Sequence, residues 1–484
     1  MNDFDAIIIG SGIGGLVSAG ILTSGGLKTL VIEKHIAPGG YISSFKRKGF
    51  VFDSAVDCIS GVAPGGLIHR ALELLGVNSD INFIKVDPIR VSIFPDIEIR
   101  VDADVNAYMD RLASLFPSEA KGVKKFFQKI SSAYEDLQFL IGISVSDGFN
   151  PGVTTPDIFR LMDRSYEELL NDYFTDKRLK AVLSDRCPFI GLPPSQVSAV
   201  AMVSLMMSYF KLGAYRPEGC FQKLADVFVE GIRKNGGMVF FGSGVKKIIL
   251  DEGGRCRGVI CDNNEEYSAR HVISNADFNQ TFSSLLGGEY LSVAEDMIRS
   301  PGISTSFFIL YAGIKGDISG QSSIGYFPSY EMEDFFMPDM SFREDTTIGV
   351  TIASLEDKSR APEGCSTAVF HEMTEASSAV LDKAACTEKT LKKAEKIFPG
   401  FKDKIEVLDA ATPQTLQRYT GNFNGSAFGW RQIPGRRGTK KHGIGNMRIA
   451  GHWGDMGSGV LAAAYSGARA AVEILAEEGI KVAI

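Results

Sequence analysis

The sequence predicts an α/β fold in which a discontinuous Rossmann-like dinucleotide-binding domain is joined to an α+β domain with a helical insert. Three observations predict it. A strand, a glycine turn, a helix and a second strand fill the first 33 residues; a strand closing on Gly451 and a small-residue helix opening at Gly459 end the chain. At 484 residues the chain is also too long for one hydrophobic core, so two domains, or one domain with large insertions, is the reading length supports.

Residues 6–9 form an apolar strand, Gly10-Ser11-Gly12-Ile13-Gly14-Gly15 a glycine turn, residues 16–22 a helix, and residues 29–32 a strand ending on Glu33. Gly10, Gly12 and Gly15 match G-x-G-x-x-G. Alone the pattern is weak, but between a strand and a helix, with an acid 23 residues beyond Gly10, it marks a dinucleotide-binding βαβ unit. Gly10 permits the tight turn, Gly12 lets a pyrophosphate approach the backbone, and Gly15 lets helix and strand pack closely. The helix start beside Gly14 offers amide donors and a positive dipole end to phosphates. Glu33, followed by Lys34, would accept hydrogen bonds from the adenosine ribose, and its charge disfavours a 2′-phosphate.

After about residue 70 the pattern turns helical, with Tyr108, Leu112 and Leu115 before Pro117, then Val123, Phe126, Phe127 and Ile130. Residues 103–212 read as largely helical, broken at Pro151, Pro156, Pro188, Pro193 and Pro194. An amphipathic helix begins at Gly219, buries Phe221, Leu224, Ala225, Phe228 and Ile232 on one face, and stops at Asn235-Gly236-Gly237. Short strands follow at 238–241, 245–250, 258–261 and 271–274; residues 281–424 mix strands with a helix near 388–397.

Composition narrows the partners. A net charge of −7 without a basic stripe argues against nucleic acid. Seven cysteines with no C-x-x-C pair favour buried or free thiols in a reducing compartment over disulfides or a zinc site. Met1, Asn2 and Asp3 lead straight into a strand with no secretory pattern, so a cytoplasmic location is the expectation. The longest weakly polar stretch, 197–210, is shorter than the ~20 residues of a spanning helix.

Past Glu33 come Gly39-Gly40 and then Gly49-Phe50-Val51-Phe52-Asp53. Here the sequence resembles the phytoene desaturase, carotenoid isomerase and retinol saturase group of FAD-dependent oxidoreductases, which share a flavin fold with amine oxidases. The resemblance runs along nearly the whole chain. Arg216-Pro217-Glu218-Gly219 resembles the family's Pro-x-Gly-Gly segment, with Cys220 in place of the second glycine. Val245 stands where a backbone meets the adenine. Asn446-Met447-Arg448-Ile449-Ala450-Gly451 and Gly457-Ser458-Gly459-Val460 resemble the closing strand and helix, whose amides would face the flavin or a phosphate. His452 replaces the acid that many relatives place after that glycine, with Asp455 three residues on; Ala55 replaces a glycine, with Asp57 just beyond. Asp57 and His452 are the candidates for polar groups near the flavin, as proton-transfer residues or as hydrogen-bonded supports of the cofactor. Gln414, Tyr419, Asn422, Phe428 and Trp430 resemble the isomerase and saturase branch, where aromatics line a tunnel or pack a core.

The resemblance implies FAD as cofactor, in a domain of residues 1–70, 213–285 and 425–484, with residues 71–212 and 286–424 forming the substrate-binding domain. It implies an enzyme that desaturates, saturates or isomerises carbon-carbon bonds of a long apolar polyene or isoprenoid, carotenoid- or retinoid-like, at flavin N5. Such a lipid comes from a bilayer, and residues 197–210 are the candidate for a peripheral membrane contact, against a buried core helix. Gly242-Ser243-Gly244 lacks the spacing of a second nucleotide site. Electrons then pass through an external partner such as a quinone, a carrier protein or the substrate itself. The rivals are a redox-neutral cis–trans isomerase using reduced FAD, a flavin amine oxidase, and a non-enzymatic prenyl-lipid-binding protein.

Overall fold

A computed structural model describes residues 3–142, 156–318, 320–336, 343–436 and 442–482; the break expected at Pro151 lies outside them. The first sheet runs in the order Val245–Leu250, Cys256–Cys261, Glu266–Ser274, Phe4–Ile9, Thr29–Ile32 and Met238–Phe240, with Met447–Ile449 beside the end of Glu266–Ser274. Phe4–Ile9 pairs in parallel with both Thr29–Ile32 and Glu266–Ser274, and Ala6, Ile7 and Ile8 are wholly buried. Parallel strands covered on both faces read as continuous apolar runs, which is what this strand is. Helices Ile13–Ser24, Leu67–Leu75, Phe221–Lys234 and Val460–Glu477 share one core on one side of the sheet.

The second sheet runs Ile405–Ala411, Ser306–Lys315, Cys365–Thr374, Ile348–Thr351, Ser323–Tyr326, Arg90–Ile93 and Glu98–Val101. Its pairs are antiparallel except one: Ser323–Tyr326 and Arg90–Ile93 run in parallel. Alternation gives the sheet two faces. Phe308, Leu310 and Phe370 pack with Leu391 and Ala394 of helix Lys383–Ile397. On that side Glu372 forms a buried ion pair with Lys393 and accepts from the Thr390 hydroxyl. The other face turns Arg90, Ser323, Thr351, His371, Ile309 and Tyr311 into a cavity.

The insert between the sheets is helical, as its periods predict. Asp104 and Asp176 side chains cap Val105–Leu115 and Lys177–Leu183, and a reciprocal Ser165–Glu168 capping box starts Tyr166–Asn171. One expectation needs correction, and one alternative is narrowed. The helical reading from residue 70 onward missed Phe83–Lys85, Arg90–Ile93 and Glu98–Val101, strands of three or four residues, too short for an alternating period to show. The stretch 197–210, considered for membrane contact, contains helix Ala199–Leu212 and has no exposed residue between 197 and 210. It is an inner wall, its Val200, Ala201, Ser204 and Leu205 lining the cavity. Among the described residues no helix is long and apolar enough to cross a membrane.

Candidate cofactor and substrate site

The site begins where strand Phe4–Ile9 ends. Gly10, at φ +93°, turns the chain, and its N–H donates to Ile32 O at 2.8 Å. Helix Ile13–Ser24 opens at Gly12 with no side chain capping it, so its first amides and the positive end of its dipole are left for another acceptor. Gly39 N donates to Ser11 O at 3.0 Å, which lays the second glycine pair against the first. A Cβ on Gly15 would stand 2.1 Å from Gly10 O, so Gly15 is fixed by helix–strand packing. Beside the close approach that the motif suggests, Gly12 also faces a neighbouring side chain. A Cβ there would meet Asn275 Nδ2 at 2.9 Å, and one on Gly14 or Gly451 would meet Asn275 Oδ1 at 2.7 or 2.5 Å. Asn275 follows strand Glu266–Ser274 and wedges its carboxamide among these glycines, a role the motif alone does not disclose.

Glu33 is buried at the end of the second strand. One carboxylate oxygen accepts from Ser11 N at 2.8 Å and Ser11 Oγ at 2.7 Å, the other from His35 N at 2.8 Å. The carboxylate is thereby fixed beside the glycine turn with lone pairs remaining for a ribose. Burial lowers the pKa of Lys34, with Glu33 and Asp277 opposing. Val245 opens its strand nearby, and the His35 and Tyr419 rings stack with centroids 5.3 Å apart.

The C-terminal segment closes the site from the other side. Gly451 follows strand Met447–Ile449 at φ +80°, and helix Val460–Glu477 opens at Gly459 with, again, no side-chain cap. Small residues let this helix cross the first one closely: a Cβ on Gly467 would stand 2.0 Å from Gly14 O. His452 Nε2 lies 3.2 Å from Asn422 Oδ1, which also accepts Trp453 Nε1–H at 2.8 Å. Burial lowers the His452 pKa to about 4, against a backbone bond to Ala427, so the ring is neutral at ordinary pH. Asp455 has Arg469 4.0 Å away. Phe428 lines the cavity, whereas Trp430 is core, its Nε1–H donating to Trp453 O at 3.0 Å.

Asp57 is engaged on every side. It forms a buried ion pair with Arg216 and accepts from Ser323 Oγ at 2.6 Å and Thr351 Oγ1 at 2.9 Å. Burial alone would raise its pKa; Arg216 and the two hydroxyls outweigh it and hold the carboxyl below its ordinary 3.8. Asp57 is therefore an anion at neutral pH.

One cavity of about 1570 Å³ joins these parts. Of the residues singled out from the sequence, Gly10, Gly12, Gly14, Glu33, Lys34, Gly39, Gly40, Asp57, Val245, Gly451, His452, Asp455, Gly459 and Val460 all line it; Gly15 does not. The cavity continues from the glycine turn, past Tyr41 and the face of the second sheet, to Leu137, Leu205 and Phe189 of the insert. Its volume exceeds the ~300–1,000 Å³ of an ordinary small-molecule pocket, room for an extended dinucleotide and a long second ligand together.

Comparison with known proteins agrees with this geometry. Residues 8–73 match the NAD(P)-binding Rossmann-like domain family. Prolycopene isomerase 1, chloroplastic, from an Oncidium hybrid cultivar is 27% identical over 99% of this chain and 85% of its own length. All-trans-retinol 13,14-reductase from Danio rerio is 27% identical over 88% of this chain and 77% of its own. The chain is similar along most of its length to a prolycopene isomerase and a retinol reductase. Among solved structures, an oxidoreductase from Methanosarcina mazei superposes with a TM-score of 0.68 at 19% identity, covering 96% of this chain and 99% of its own. The relatives carry the resemblance to the phytoene desaturase, carotenoid isomerase and retinol saturase group, and the solved structure carries the Rossmann-like α/β fold.

Sequence reasoning missed three residues here. Asn275 was findable as the polar residue directly after a strand that ends beside the glycine turn. Arg90 and His371 carry no motif; only the pairing of distant strands brings them to the cavity.

Proposed function

We propose that this chain is an FAD-dependent enzyme acting on carbon-carbon bonds of a long apolar polyene or isoprenoid, saturating or desaturating them. The observation that carries the proposal is the single cavity that leads from two uncapped helix starts and Glu33 into a chamber walled by Ile309, Phe307, Phe428, Val200 and Leu205. The likeness to a retinol reductase and a prolycopene isomerase supports a polyene as the second ligand.

In this reading residues 1–70, 213–285 and 425–484 form the cofactor domain. The Ile13–Ser24 and Val460–Glu477 helix starts would take the pyrophosphate and the flavin edge, Glu33 and Lys34 the ribose, and Val245 the adenine. Gly39, Gly40 and Gly451 would let the backbone lie against the cofactor, with Asp455 beside it. When bound, the flavin supplies hydride acceptance and donation at N5. The chain's own residues orient and seclude. His452 is neutral and held by Asn422, which suits support of the cofactor better than donation of a proton; Asp57 is an ion-paired anion, which suits a fixed wall. Electrons are exchanged with an external partner such as a quinone, and membrane access to the lipid is part of the proposal, through a surface other than residues 197–210.

A second reading, redox-neutral isomerisation with reduced FAD, is favoured specifically by the prolycopene isomerase likeness. The experiment that separates them is mass spectrometry of polyenes from cells with and without the gene. A product differing by two hydrogens supports the first reading, equal mass with altered geometry the second, and no polyene change contradicts both.

A further inference from the structure

The cavity wall built by the second sheet carries a charge that no acid among the described residues meets at contact distance. Arg90 is 2% exposed and lines the cavity, and its Nε has no hydrogen-bond partner. Among the described residues no carboxylate lies within 4.0 Å of its guanidinium. The acids nearest in charge are committed elsewhere: Asp57 to Arg216, Ser323 and Thr351, and Asp185 to Ser92 Oγ at 2.5 Å. Its close neighbours are aromatic instead, with the guanidinium carbon 4.9 Å from the Phe189 ring centroid and 5.9 Å from that of Phe327. Rings attract a cation but offer no acceptor for its N–H donors. A second guanidinium, Arg186, stands 5.0 Å from the same Phe189 ring, its Nη1 also without a partner.

The sheet is built around this group. Gly325, Gly349 and His371 lie side by side on three neighbouring strands. A Cβ on Gly325 would come 2.1 Å from an Arg90 Nη, so the glycine is what admits the guanidinium. His371 lines the cavity beside the open Gly349 position, and its Nε2 has no partner. Burial and the Arg90 charge lower its pKa to about 4, against Asp57, which leaves a neutral ring able to give one N–H.

We propose that the substrate carries a carboxylate at one end, received by Arg90 beside His371, while its apolar chain runs along the cavity towards the glycine turn. The proposal rests on the polyene reading above and narrows it from a hydrocarbon to a polyene acid. A planar guanidinium fork matches two carboxylate oxygens and gives charge-assisted hydrogen bonds. A hydrocarbon end would leave the same guanidinium buried and without an acceptor.

The test is binding to the purified holoprotein, read by fluorescence quenching with all-trans-retinoate, all-trans-retinol and the hydrocarbon of the same skeleton. Retinoate is expected to bind roughly 10-fold or more tightly than the hydrocarbon, the range of a hydrogen bond to a charged group. Arg90→Met should collapse that difference and Arg90→Lys should keep part of it, with flavin content and melting temperature reported for each. A preference for the acid that survives unchanged in Arg90→Met overturns the assignment to Arg90. The wild-type series decides even where a variant does not fold. Equal affinity for acid and hydrocarbon overturns the carboxylate and leaves the polyene reading standing; no binding of any of the three overturns both.

Discussion

The glycine turn and the second-sheet wall bound the same cavity, yet they are specified in opposite ways. The turn is defined by side chains that are missing: Gly10, Gly12, Gly14, Gly15 and Gly451 leave room for Asn275, for neighbouring backbone and for exposed amides. The wall is defined by side chains that are present and buried: Asp57 paired with Arg216, Ser323 and Thr351, and Arg90 lying over the Phe189 ring. Backbone room is set by local spacing, whereas paired charges depend on strands far apart in the chain. The turn should therefore fail by steric overlap and the wall by stranded charge.

The largest effect is expected in the wall. Asp57→Ala leaves Arg216 one carboxylate partner among the described residues, Glu356, and empties the acceptor of two hydroxyls, costing about 3–5 kcal/mol by denaturant unfolding. The pair also gives the protein an acid limb. With the folded pKa of Asp57 below 3.8, its contribution is full above that value and is lost as pH falls through the lowered one; Asp57→Asn should flatten the limb. Next comes the turn. Gly15→Val forces a side chain onto Gly10 O and should cost about 3 kcal/mol, with loss of flavin retention read from the visible absorbance of the purified protein. A yellow, normally stable Gly15→Val would break the contrast between the two regions.

An effect confined to mildly acidic pH comes from two buried rings. His371 and His452 have folded pKa values of about 4 against an ordinary 6.5, so the unfolded chain takes up their protons first. Stability should rise with pH between about 4 and 6.5 and level off above, each ring contributing a slope of at most ~1.4 kcal/mol per pH unit. His371→Asn and His452→Asn should each remove one share. His452→Ala should also weaken flavin retention while leaving turnover of fully loaded enzyme nearly unchanged; a slowing of roughly 10²-fold would make the ring a proton-transfer group. The smallest effect sharpens the claim that burial matters. Arg47 and Asp409 pair at 3.1 Å with Arg47 half exposed, and Arg47→Ala should shift stability by no more than ~0.5 kcal/mol.

What was legible in the sequence follows the same division. The βαβ unit, Glu33, the amphipathic helix now seen at Phe221–Lys234 and the closing segment around Gly451 each announce themselves within a few dozen residues. The strands at 83–101 were missed because three or four residues cannot display a period, and with them went Arg90. The residues at 197–210 read as a membrane face or, somewhat more readily, as core, because apolar composition does not say which surface covers them; in the structure none of them is exposed and several line the cavity. Asn275 was passed over for a third reason. Its effect on Gly12, Gly14 and Gly451 exists only where three chain segments converge.

The central claim is that one continuous cavity serves both a flavin and an apolar polyene, and its most direct test is the visible spectrum of the purified protein during titration. The account predicts a flavin absorbance that is perturbed or bleached when a polyene is added and is indifferent to small polar amines. A colourless protein that cannot be reconstituted with FAD, or a flavin bleached by amines and unmoved by polyenes, would contradict it.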